Sequence, residues 1–135
     1  MSFEGKDYIA AMRIDIDYDG IIAYLDDFAD SHSTNLQLMK TVKLLKLNTD
    51  ILNSYEQLIV ELFKDRQYDI CKSCLVHKSE QLLLTLYLSK KLESDSNGDF
   101  IKKVSRTFAV DLKDSYDFAH DIDDFQQYEE KHRHK

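Results

Sequence analysis

The chain has no proline, no tryptophan and only three glycines in 135 residues. A β-rich fold needs turn residues at short intervals, so this scarcity excludes a sandwich or barrel of short strands. Long apolar runs are missing too. The longest uncharged one, Leu82–Ser89, falls far short of the roughly 20 residues that cross a bilayer. Met1 to Tyr8 lacks the basic-then-apolar order of a secretory signal. Two cysteines without an export signal point to a reducing, cytoplasmic setting. The glycines are isolated, so no phosphate-cradling loop is present. His32, His132 and His134 have no evident nucleophile partner, which leaves a Ser–His–Asp mechanism without support.

What is abundant is helix-forming sequence. Leu36 to Phe63 carries neither glycine nor proline. Leu38, Val42, Leu45, Leu52, Ile59 and Phe63 recur on one helical face. Leu44, Leu47, Ile51, Tyr55, Leu58 and Leu62 widen that face, so the spacing predicts a central helix covered on more than one side. Ser33 or Thr34 is its expected N-cap; Asn48-Thr49-Asp50 is a place where it could restart, but unbroken spacing on both sides favours one continuous helix. Around it the pattern predicts a short helix from Phe3 to Arg13 and another from about Gly20 to Asp30. A turn is expected over Lys64–Asp69, then a helix from Ile70 to Glu93. A loop over Ser94–Asp99 precedes a last helix from Phe100 to about Tyr128, with Ser115 a place for a kink or a second start. The fold class is therefore all-α: one domain over 1–130, an irregular bundle of about five helices with two long central members, and a solvated basic tail over 131–135.

The net charge of −7 is segregated. Residues 1–35 carry a net −6, 36–110 a net +3, 111–130 a net −7 and 131–135 a net +3. Two readings share this pattern. The acidic ends pack on the more basic middle helices, or an acidic face meets a basic partner protein. Direct nucleic-acid binding is disfavoured, because Lys40, Lys43 and Lys46 make only a short basic stripe.

Asp15, Asp17 and Asp19 alternate ahead of Gly20, with Ile22 and Asp26 following. This stretch resembles the calcium loop of the EF-hand family. The resemblance implies oxygen ligands from Asp15, Asp17, Asp19 and Asp26 around calcium, or magnesium given the short arm of Asp26. The alternative is an acidic helix cap with a turn at Gly20. Glu93–Val104 is a second, incomplete match that ends on valine. Leu58–Leu75 resembles a tetratricopeptide helix–turn–helix through Leu58, Leu62, Phe63, Tyr68 and Cys71. It departs at Ile59 and Lys78, where that family has small residues, and it implies a helical hairpin turning near Arg66-Gln67. Cys71 and Cys74 form a lone CxxC with no second pair for zinc and no preceding strand for redox work. They read as small side chains on a buried helix face. Asp117, His120, Asp121 and Asp124 share a helical face, read as a solvated acidic surface in the absence of facing ligands from other helices.

The expectation from these residues is a non-enzymatic protein-interaction module: an adaptor, inhibitor or small regulatory subunit. Its partner-binding residues would be acidic Asp117, Asp121 and Asp124 and the apolar Leu83, Tyr87 and Leu88. The apolar group would be an anchor in a partner's groove or a contact in a homodimer. The alternative is an ion-responsive protein using the 15–26 loop.

Overall fold

The computed structural model describes residues 16–96 and 99–133. Four helices follow one another: α1 over Tyr18–Ser31, α2 over Leu36–Lys64, α3 over Tyr68–Ser96 and α4 over Asp99–Arg133. No strand occurs among the described residues, so the all-α class holds. Helices number four there rather than about five, and the helix expected over Phe3 to Arg13 lies outside them. None of the described helices is long and apolar enough to cross a membrane.

Local chemistry sets the boundaries. Asp17 is the N-cap of α1, its carboxylate accepting from the Gly20 N–H at 3.0 Å. Asn35 caps α2 by accepting from the Leu38 N–H at 3.1 Å. That displaces the expected Ser33 or Thr34, because only Asn35 is placed immediately before the first helical turn. The α2 end is a Schellman motif. Gln67 N–H donates to Leu62 O at 2.9 Å and Arg66 N–H to Phe63 O at 3.1 Å. Arg66 takes the left-handed position (φ 61°) that glycine usually fills.

α2 is one continuous helix, as its unbroken apolar spacing favours, and α4 has no break at Ser115. Thr49 is buried and donates its hydroxyl to Leu45 O at 2.7 Å, while Asn48 turns its amide to Gln81 on α3. Side chains occupied in these ways do not cap a new helix. Ser115 is buried inside an unbroken α4. The helix also continues through Lys131 to Arg133, so the basic residues form its last turn, where they suit the helix dipole.

In space α3 lies between α2 and α4, packed against both, and α1 packs on α2. Tyr24 of α1 also stacks on Phe100 at the start of α4, ring centroids 4.3 Å apart. All six residues of the primary α2 face are buried. The second stripe is not covered as expected: Leu44, Leu47 and Leu58 are 49%, 56% and 43% exposed.

The core falls into two apolar clusters. One gathers Leu25, Leu45, Leu52, Leu82, Leu92, Ile101 and Phe108. The other gathers Ile59, Phe63, Tyr68, Cys71, Leu75, Phe118, Ile122 and Phe125. Between them each long helix contributes buried polar side chains: Glu56 from α2, Lys78 and Ser79 from α3, Asp111 and Ser115 from α4.

Candidate functional site

The stretch likened to a calcium loop is a capped helix. Asp17 is occupied as N-cap, Asp19 lies in the first turn, and Asp26 pairs with Lys46 of α2. A helix running from Tyr18 sets Asp17 and Asp26 about 13 Å apart along its axis, so Asp17, Asp19 and Asp26 do not converge on one ion. That corrects the loop geometry. Asp15 lies outside the described residues. Asp17 and Asp19 border a shallow depression shared with Asn53 and Gln57 of α2. No group of three or more His, Cys, Asp or Glu able to hold a metal occurs among the described residues.

The interaction residues divide. Asp117 and Asp124 are exposed and Asp121 is half-buried, all on one face of α4. Burial and the neighbouring Asp124 carboxylate raise the pKa of Asp121. Leu83 and Tyr87 are 52% and 64% exposed, but Leu88 is 5% exposed and belongs to the core. Leu88 is therefore corrected from a surface contact to a packing residue. One step along a helix turns the side chain by about 100°, which carries Leu88 inward next to exposed Tyr87.

The acidic and apolar groups sit at different heights. Lys78 of α3 meets Asp111 of α4, and Lys72 meets Asp123. In this antiparallel register Leu83 lies on one side of the Lys78–Asp111 level and Asp117 on the other, about 16 Å away along the bundle. They form two patches.

Several other acids are matched by the middle helices. Asp26 pairs with Lys46, Asp123 with Lys72, Asp111 with Lys78, and Glu129 lies 3.9 Å from Arg66. The charge segregation is thus partly consumed within the fold. Asp117, Asp121 and Asp124 have no ion pair among the described residues.

The polar belt between the two clusters was missed by the motif reading. Lys78 Nζ donates to Asp111 Oδ1 at 3.0 Å, both side chains 7% exposed. Tyr18 OH of α1 donates to Glu56 Oε2 at 2.6 Å. Asp111 Oδ2 and Ser115 Oγ are buried without a hydrogen bond. The Asp111 pKa is raised because burial outweighs the pull of Lys78, with Glu56 and Asp114 adding repulsion. A signal existed. Lys78 falls in phase with core residues Cys71, Leu75 and Leu82, and Asp111 in phase with Val104, Phe108 and Ser115. Opposite charges at core phase on consecutive helices announce a buried pair.

Cys71 is fully buried and Cys74 half-buried. Burial, with Cys74 adding to it, pushes the Cys71 thiol up to about 12. A thiol held protonated is neither nucleophile nor metal ligand.

No protein-family model matches the chain, and the searches of curated proteins and of solved structures likewise return no match.

Proposed function

We propose that the chain is a non-enzymatic interaction module that captures a partner protein with a basic surface through the α4 face of Asp117, Asp121 and Asp124. The observation that carries this is unspent charge. Asp111 and Asp123 of the same helix sit against Lys78 and Lys72, whereas these three stand within about 10 Å of one another on one face without an ion pair among the described residues. The raised Asp121 pKa reflects burial and repulsion from Asp124, and a cationic partner relieves that repulsion. Leu83 and Tyr87 supply a separate apolar anchor at the other end of the bundle.

The test is affinity capture followed by mass spectrometry, at low and high salt, with the native chain and with Asp117→Lys/Asp121→Lys/Asp124→Lys. The expected result is a basic protein retained by the native chain, lost at high salt and lost in the variant. Its association rate should fall by about 10-fold or more on reversal. Equal capture by both proteins, with helicity unchanged by circular dichroism, refutes the acidic-face reading.

A further inference from the structure

The second stripe of α2 is an apolar surface on a helix that is otherwise well packed. Leu44, Leu47 and Leu58 are about half exposed, and Ile51, Tyr55 and Leu62 are half-buried. Their separations of three and four residues keep them on one face for about 27 Å. α1 does not occupy this face. Its contacts to α2 run through Lys46 and Glu56, on the other flank. On α3, Gln81 bonds to Asn48, and the exposed Leu84 and Ile70 fall at helical spacing from Gln81, extending the apolar surface across the α2–α3 groove.

The order of residues along the stripe identifies its occupant. About a centre near Leu52-Asn53 the sequence of α2 and its C-cap is nearly its own mirror in chemistry. Leu44 corresponds to Leu62, Leu47 to Leu58 and Ile51 to Tyr55. Toward the two ends, Lys43 corresponds to Glu61 and Lys40 to Asp65. All four charged residues are exposed, and none has an ion pair among the described residues.

We propose that a second copy of this chain lies antiparallel along α2, with a two-fold axis passing at the level of Leu52-Asn53, between Ile51 and Tyr55 of the stripe. Each apolar residue then meets an apolar residue, and the basic end of each helix meets the acidic end of the other. This is the self-complementarity that an isologous interface requires. A parallel pair would set Lys40 and Lys43 against themselves and Glu61 and Asp65 against themselves, which is repulsive at both ends. A stable interface buries about 800 Å² on each partner. One helix face with the Leu84 and Ile70 flank is a small patch on that scale, so the expected dimer is reversible, with a Kd on the order of micromolar. This surface is separate from the α4 acidic face, and the two stand or fall independently.

Sedimentation equilibrium of the full chain tests it, from about 1 µM to about 500 µM. The expected mass rises from 15.9 kDa toward twice that value with concentration. Lys43→Glu alone opposes Glu61 with a second acid, and Glu61→Lys alone opposes Lys43 with a second base. Each should raise the dimer Kd about 10-fold. The double variant Lys43→Glu/Glu61→Lys restores opposite charges and should return the Kd to within about threefold of native. Leu47→Glu/Leu58→Glu should be monomeric with unchanged helicity by circular dichroism. A native chain that stays at 15.9 kDa throughout overturns the proposal, including the case in which a different protein covers the stripe. A dimer indifferent to the single reversals, or one that the double reversal fails to restore, overturns it too.

Discussion

Replacing Lys78 with methionine keeps most of the unbranched stem of the side chain and removes its charge. The partner left behind is Asp111, 7% exposed at the side chain, with Oδ2 already lacking a hydrogen bond. Removing one member of a buried pair costs about 3–5 kcal/mol, since the remaining charge is stranded in a medium that solvates it poorly. For a chain of 135 residues, that loss corresponds to a drop of about 10–18 °C in melting temperature. The penalty should depend on pH. The Asp111 pKa is raised in the native protein, so the folded state binds that proton more tightly than the unfolded state. Its contribution is fully present in acid and is lost as pH rises through the native pKa. Without Lys78 the pKa rises further, and the variant's deficit should be smaller near pH 5 than near pH 8. Lys78→Met/Asp111→Leu, which removes both charges, should be neutral or more stable than native by about 1–4 kcal/mol. Urea unfolding at the two pH values, followed by circular dichroism, measures all three. A single-variant penalty below about 1 kcal/mol, or one that does not change with pH, would show that water reaches the pair and refute the burial argument.

Leu88→Ala should cost about 2–5 kcal/mol in chemical denaturation, whereas Leu83→Ala and Tyr87→Ala should each stay within about 0.5 kcal/mol. Gly20→Ala should fail to stabilise α1 despite the helix preference of alanine of about 1 kcal/mol. The new methyl group meets the Asp17 carboxylate that caps the helix, and thermal melts should show a net loss. Cys71, its thiol held up at about 12 by burial, should resist a thiol reagent at pH 8 in the native protein and react once denatured. Mass spectrometry of the labelled peptides separates it from half-buried Cys74.

The primary face of α2 was legible because Leu38, Val42, Leu45, Leu52, Ile59 and Phe63 obey a helical period without interruption, and burial follows that period. The hairpin turn was legible too: the stretch that resembles a tetratricopeptide unit turns at Asp65–Gln67, close to the expected Arg66-Gln67. Alternating Asp residues left two readings open, because one pattern serves an ion cage and an N-cap alike, and the backbone places Asp17 as the cap. The Lys78–Asp111 pair was illegible to a reading that sends every charge to solvent. Lys78 registered only as a departure from a small residue. The sequence window Leu82–Leu88 showed apolar character nearly all round but not which residues face inward. Packing between α2 and α4 settles that, with Leu82 and Leu88 inside and Leu83, Leu84 and Tyr87 outside.

Long helices with uniform apolar faces can slide past one another, since one turn of leucines fits much like the next. The polar belt denies this chain that freedom. A slip of one heptad, about 10.5 Å, would carry Lys78 away from Asp111 and set it opposite Val104 or Phe118, both buried in apolar clusters. Every misregistered bundle therefore strands a charge in hydrocarbon. The belt works as a detent, giving up some stability for one alignment of three helices.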